Sequence, residues 1–503
     1  MTDPTPDPVN DPVCRGAPPG GRRPPAGTHA DTRYVGRRRP LRVVNDADVR
    51  RIHEATLDVL ATTGCAFHSP RALDVLADQG ATVDRRSSVA KLPPELVERA
   101  LASLPRRVTL AARDPAYDLP LDGEHAYLTV DGCAVTVREV DGSLRASTKD
   151  DVTRAARVAH ALENVSATAA VVSALDRPEA TRALHELDAC LRASSKHAIA
   201  VSVKDAAEAR WLLRLAEAVA GGSAELRARP LFTCILCTVS PLHQEHGGMD
   251  LAFTLAEAGV PLMLYPMPIL GATAPVTPAG AAVIGNAEVL AAVTAVQLAV
   301  PGAPLIHAGG PTTLDMRTGA YAAAVPEAML LRAVQARMAS FYGLPAGLGY
   351  GGTGAREPDV QAAWENALTM LLEFLAGADF VFGCGLLAGS QVHALEQLVI
   401  DDEVVAIATR LLRGVDVDDE HLAVELIRTT GHGGRSGTGL AGSRGSGRSH
   451  SGSDDNGGSY LSARHTRAHA RALWRARHGE TRSYEAWLAA GAPATPARAP
   501  ARG

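Results

Sequence analysis

From about residue 125 the chain alternates between short apolar blocks and long amphipathic stretches. The blocks are "AYLTV" (126–130), "ATAAVVSAL" (167–175), "HAIAVSV" (197–203), "LFTCILCTV" (231–239), "VPLMLYPMP" (260–268), "APLIHAG" (303–309), "LPAGLGYGG" (344–352) and "ADFVFGCG" (378–385). Between them lie helical patterns such as "AAEARWLLRLAEAVAG" and "VQAAWENALTMLLEFLAG". Unbroken apolar strands separated by helices predict a parallel sheet covered on both faces. Eight such units fit a closed (β/α)8 TIM-type barrel, whose active site forms at the C-terminal ends of the strands. A doubly wound open sheet is the alternative.

Before the first block the period is helical. "VVNDADVRRIHEATLDVLATTGCAF" offers Asn45 or Asp46 as an N-cap and apolar residues at Val49, Ile52, Leu57 and Leu60. "SPRALDVLADQGATVD" repeats the form, with Ser69 as cap and Pro70 at the first helical position. "LPPELVERALASLP" predicts a third helix. The expected organisation is a disordered Pro/Gly/Arg-rich leader (1–40), a helical N-terminal region (41–125), the barrel (126–425) and a C-terminal extension (426–503). That extension contains a flexible Gly/Ser-rich insertion (434–458) and a final helical piece.

Composition narrows the functional classes. In 503 residues, 46% hydrophobic content provides a sizeable core, and the net charge of −5 argues against nucleic acid or an anionic membrane as the main partner. Seven cysteines without framework spacing suggest a reducing compartment rather than a disulfide scaffold. No secretory h-region and no uninterrupted apolar run of membrane-spanning length is visible, so a cytoplasmic location is expected.

Gly347, Gly349 and Gly352 stand in G-x-G-x-x-G spacing, with Glu373 placed for a ribose acid. The context is wrong for NAD: helical pattern resumes only after Pro358, too late for a helix N-terminus to hold a pyrophosphate. Cys234 and Cys237 fall within a strand pattern, where alternation sends them to opposite faces, so they are expected not to chelate one ion. His243 and His246 have i, i+3 spacing but no evident third ligand, so no metal site is expected. No nucleophile elbow or Walker loop appears.

Polar chemistry concentrates after four successive strands. The segments carry Thr273, Thr277, Asn286 and Glu288; His307, Thr312, Asp315, Arg317 and Tyr321; Tyr350, Thr353, Arg356, Glu357, Asp359, Gln361 and Glu365; and Ser390, His393, Glu396, Gln397 and Asp401. Together they read as one pocket at a barrel mouth.

The segments "MPILGATAPVTPAGAAVIGNAEVLA", "TTLDMRTGAYAAAVPEAMLL", "EQLVIDDEVV" and "RLLRGVDVD", with the N-terminal "IHEATLDVLATTG", resemble the trimethylamine methyltransferase family. The resemblance implies a (β/α)8 barrel that moves a methyl group from a methylated amine to the cobalt of a separate corrinoid protein. The founding enzymes hold trimethylamine with pyrrolysine. This chain has none and resembles the branch without it, known for quaternary amines such as glycine betaine. On that reading Glu365, Asp315 and Gln361 are candidate catalytic residues. Tyr350, Arg356, Arg317, His307, Tyr321, Asp359, Trp364 and Asn286 are candidate substrate contacts. Aromatic faces, Tyr265 among them, would attract a methylated cation, and Arg317, Arg356 or His307 would bind a betaine carboxylate. The corrinoid cobalamin would arrive on its partner protein, with no NAD and no resident metal. Gly354 and Ala355 stand where relatives more often carry a polar pair. The pattern does not decide against a homo-oligomer. Two rivals remain: a lyase or aldolase without cobalamin, disfavoured because the four loops lack a lysine for a Schiff base, and a non-catalytic binder of betaine-like ligands.

Overall fold

The structure, a computed structural model, describes residues 41–132, 134–322, 324–349, 352–430, 460–477 and 482–491. The expected leader, the Gly/Ser-rich insertion and Tyr350 lie outside the described residues.

Eight parallel strands close on themselves. They are β1 (Tyr127–Val130), β2 (Val165–Ala169), β3 (His197–Ala200), β4 (Phe232–Val239), β5 (Leu262–Tyr265), β6 (Leu305–Gly309), β7 (Ala346–Gly349) and β8 (Phe380–Cys384). Each pairs in parallel with the next, from Leu128↔Val165 to Gly347↔Phe380. The pairing Phe380↔Tyr127 joins β8 back to β1, so the barrel has no open edge. The open-sheet alternative is thereby removed.

At least one helix covers each strand-to-strand crossing, with a second short one (Ser223–Ala228) between β3 and β4. Three in the N-terminal region, α1 (Asp46–Thr62), α2 (Pro70–Asp78) and α3 (Pro94–Ala102), precede α4 (Lys149–Ala161), α5 (Arg182–Ala193), α6 (Ala206–Ala220) and α7 (Gly248–Glu257). α8 (Pro278–Ala299), α9 (Pro326–Tyr342), α10 (Val360–Ala376) and α11 (Leu395–Leu412) complete the ring. Asn45 caps α1, accepting from the Ala47 and Asp48 amides, while the Asp48 carboxylate returns a bond to the Asn45 amide. Ser69 caps α2 ahead of Pro70. Short strands at 65–66, 82–84, 89–91, 108–110 and 119–121 also occupy this region, which is therefore less uniformly helical than its pattern suggests.

α8 explains why that region is there. Its 22 residues are apolar all round, long and apolar enough to cross a membrane by composition, yet 78% of its apolar window is buried. A helix apolar on every side must be covered on every side. The barrel covers one face of α8, and α1, α2 and α3 pack on the other.

At the N-terminal end of the barrel, buried Lys196 donates to the carbonyls of Ala159, Leu162 and Val165, tying α4 and β2 to β3. Burial pushes its ammonium down to about 8. Lys196→Met strands three carbonyls in the interior and is expected to cost about 3 kcal/mol. A fall of several degrees in Tm by calorimetry is the expected reading, and an unchanged Tm would exclude this role.

Two small sheets rim the opposite end. Leu386–Leu387, Val392–Ala394, Thr136–Arg138 and Leu144–Ala146 form one; Ile269–Leu270, Thr312–Leu314 and Tyr321–Ala322 form the other. Both are built from segments that follow β1, β5, β6 and β8, so they frame the C-terminal mouth.

Candidate active site at the barrel mouth

Strand alternation decides which side chains reach the mouth. Phe382 of β8 and Tyr265 of β5 meet edge to face at 6.0 Å, although their strands are not neighbours, so both point into the barrel. In-register pairing places Gly347 and Gly349 on the same inner face, opposite Phe380 and Phe382. Tyr265 ends at the backbone of β7: a methyl group on Gly349 would lie 1.6 Å from its hydroxyl oxygen, and one on Gly310 2.8 Å. These glycines therefore make room for a tyrosine lying across the top of the barrel, which settles the meaning of the G-x-G-x-x-G spacing. Gly352 serves a second purpose. It turns with φ +71° against the carbonyl of Leu386, linking the segment after β7 to that after β8. Glu373, placed by spacing for a ribose, is instead fully buried and paired with Arg332 at 2.5 Å.

β1 adds a carboxyl group that the loop patterns did not reveal. Thr129 pairs with Phe382 and so faces inward, and alternation carries the same face to Asp131 just beyond the strand. Asp131 Oδ1 accepts from the Gly132 amide at 2.8 Å. Its charge is felt by Tyr265, Tyr321 and Cys384. Burial pushes its carboxyl up to about 6. Read as a strand, "AYLTVD" already gives Tyr127, Thr129 and Asp131 a common face; that parity was the available signal.

Tyr321, which feels the same charge, pairs with Leu314 next to the turn of the hairpin following β6. Shielding of its hydroxyl raises the phenol against the opposing pull of Arg332 and of its bond to Thr312, while 43% of the residue's surface stays accessible. Its ring lies against Gly389, where a methyl would come within 3.0 Å, so Tyr321 connects the segments after β6 and β8.

The other sequence candidates separate into three groups. Glu365 accepts from Thr353 Oγ1 at 2.5 Å, from the Gly354 amide at 2.8 Å and from Gln361 Nε2 at 2.8 Å. Glu365 and Gln361 are thus brought together as a clamp on the glycine-rich loop, and Asp359 caps α10 by accepting from the Ala362 amide. A second group lies outside the strand layer. His307 alternates outward from β6, and its Nε2 sits 3.3 Å from Asn286 Oδ1 on α8. Asn286 in turn donates to Thr56 and Tyr342, and burial drops the His307 imidazole to about 4. The third group is peripheral. Asp315 closes the hairpin tip by accepting from the Arg317 amide, while the Arg317 side chain is 90% exposed. Arg356 and Trp364 are exposed as well.

His243 lies in a short strand rather than a helix, so the i, i+3 chelation geometry is not formed. His68 stacks on His246 at 3.8 Å and on His243 at 5.9 Å, ring face to ring face. Among the described residues no three His, Cys, Asp or Glu side chains converge as metal ligands. Cys237 shares register with inward Tyr265, whereas Cys234 is buried on the outer face.

A cavity of about 460 Å³ opens at the other end, beside Arg106, Arg107, Asp122 and Arg337. Several of its polar groups are already engaged: Asp379 accepts from the Gly123 and Ala346 amides, and Arg337 pairs with Asp46. It also lies at the N-terminal strand ends, where barrels carry stability rather than chemistry. The mouth is the better candidate.

A closed (β/α)8 barrel with inward carboxyl and tyrosine groups at its C-terminal mouth has the architecture of a barrel enzyme. The family model for trimethylamine methyltransferase (MTTB) matches residues 19–436, and the chain belongs to that family. Trimethylamine methyltransferase MttB of Desulfitobacterium hafniense is 31% identical over 449 residues, covering 89% of this chain and 86% of that protein. MttB1 of Methanosarcina acetivorans is 33% identical over 78% of this chain and 80% of its own length. A glycine betaine methyltransferase of D. hafniense is 28% identical, covering 78% and 82%. The crystal structure of the Methanosarcina barkeri monomethylamine methyltransferase (MtmB) matches over 78% of each chain, with a TM-score of 0.52 and 14% identity. That likeness concerns the fold alone.

Proposed function

We propose that this protein transfers a methyl group from a quaternary or otherwise methylated amine to the cobalt of a corrinoid carried by a separate protein. The observation that carries the reading is the inward Asp131, whose charge reaches Tyr265 and Tyr321, at the mouth of a barrel of this family. A carboxylate and aromatic faces are the groups that hold a methylated cation.

The chemistry asks the protein mainly for positioning and desolvation. The N–CH3 bond breaks with its electron pair staying on nitrogen, so a quaternary ammonium leaves as a neutral tertiary amine. The acceptor, cobalt(I) of the corrinoid, supplies the pair for the new bond to carbon. No proton has to move. Tyr265 and Asp131 orient the cation, and Glu365 and Gln361 hold the loop that borders it.

The rim suits an acceptor that arrives on another protein. Met267, Val276 and Met316, in the segments that follow β5 and β6, are 42%, 63% and 68% exposed, and Met316 and Val276 both flank Gly271. Exposed apolar side chains there suit the docking of a protein that presents a large, largely apolar macrocycle.

Incubation with cobalt(I) cobalamin and a panel of methylated amines tests the reading by absorbance. Methylcobalamin is expected with at least one quaternary amine. Amine binding without transfer would favour a non-catalytic binder, and neither outcome would favour a barrel enzyme of another class.

A further inference from the structure

The charge pattern of the mouth bears on which methylated amine it accepts, and this step rests on the functional reading above. Asp131 is fixed in place. Gly132, whose amide it accepts, is pressed against Val201 and the Ala170 carbonyl, where a methyl would come within 2.8 and 2.9 Å. Tyr265, Tyr321 and Cys384, which feel its charge, are neutral acids whose burial keeps them protonated at neutral pH. No cationic side chain among the described residues offsets its burial. The nearby cations are committed or remote: Arg332 is held by Glu373, Arg138 by Glu396, and Arg317 and Arg356 are exposed. A half-buried carboxylate that lacks a counter-ion among the described residues is a costly arrangement unless a cation fills the space beside it.

We propose that Asp131 is the counter-ion of the substrate's ammonium group, and that the mouth selects methylated ammonium ions bearing no carboxylate on the adjacent carbon. An ion such as choline or tetramethylammonium neutralises the site. Glycine betaine brings its own carboxylate within a few bonds of the nitrogen and so sets like charges together in a poorly solvated space. Among the described residues Arg332, whose charge reaches Tyr321, is already taken up by Glu373. The sequence candidates for carboxylate binding, Arg317, Arg356 and His307, are respectively at the hairpin tip, on the exposed loop and behind the strand layer.

Titration calorimetry on the full chain at neutral pH, with tetramethylammonium, choline and glycine betaine, tests this alongside the methyl-transfer assay. Choline and tetramethylammonium are expected to bind at least about tenfold more tightly than glycine betaine. Asp131→Asn should weaken the two carboxylate-free ions by about tenfold and leave glycine betaine unchanged or tighter, so that the gap closes. Tyr321→Leu should weaken all three by about fivefold, because the aromatic face acts on the ammonium common to them. An unchanged Tm for Asp131→Asn confirms its fold; should it fail to fold, the order of the three ligands on the wild type decides. Glycine betaine binding as tightly as choline, or Asp131→Asn weakening all three alike, overturns the proposal. Efficient methyl transfer from glycine betaine would overturn the selectivity and leave the functional reading standing. Absence of both binding and transfer across the panel would overturn the two together.

Discussion

Gly349→Ala is expected to give a folded barrel that transfers methyl groups at no more than about one hundredth of the wild-type kcat/KM. The new methyl would lie 1.6 Å from the Tyr265 hydroxyl, with the ring carbon bearing that hydroxyl at 2.8 Å, so ring and β7 backbone cannot both keep their places. Overpacking of this kind costs about 1–3 kcal/mol, which a large barrel survives. The damage falls on geometry, because Tyr265 is one wall of the space beside Asp131. Adding Tyr265→Phe removes the closest clash and should recover part of the lost Tm, the ring carbon at 2.8 Å still having to give way. Wild-type activity and Tm in Gly349→Ala would show that Tyr265 does not cross the mouth as described.

Arg332→Ala is expected to be the most destabilising single change. Arg332 and Glu373 are 1% and 0% exposed, and Arg332 Nη1 also donates to the Pro311 carbonyl at 3.2 Å, anchoring the start of the mouth hairpin. Removing one member of a buried pair costs about 3–5 kcal/mol, because the other charge is left without compensation. The pH dependence has a definite sign. Burial pushes Glu373 up to about 7 even with Arg332 beside it. A carboxyl group raised on folding holds its proton more tightly in the native state, so its contribution declines as pH rises from the unfolded value towards 7 and is level above that. Without Arg332 the native value moves higher and the decline continues past 7. The Tm deficit of Arg332→Ala should therefore widen between neutral and mildly alkaline pH. Replacing both residues by Met and Leu should restore much of the stability. Equal Tm deficits across that range, with no recovery in the double variant, would contradict the assignment.

The barrel was legible because parallel strands buried on both faces read as unbroken apolar blocks, and their number and order survive in β1 to β8. The block edges were less so: "ATAAVVSAL" continues to Leu175, whereas β2 stops at Ala169 and the chain turns into the mouth. The site was harder to read because position after a strand does not give direction. His307 lies in a strand near the mouth and was a reasonable candidate, yet its parity turns it towards α8. Asp131 follows the least conspicuous block, with no polar loop pattern around it, and only the register with β8 turns it inward. Glu365 shows a different limit. A carboxylate in a loop-and-helix pattern looks the same whether it meets a substrate or, as here, three donors of its own loop.

On this reading the C-terminal mouth, rather than the cavity at the other end, holds the methylated ammonium ion. A crystal structure of the full chain soaked with tetramethylammonium, with a brominated analogue to mark the position, tests this directly. The ion is predicted between the Asp131 carboxylate and the rings of Tyr265 and Tyr321. An ion found instead beside Arg106 and Arg337, with the mouth filled only by water, would contradict the account.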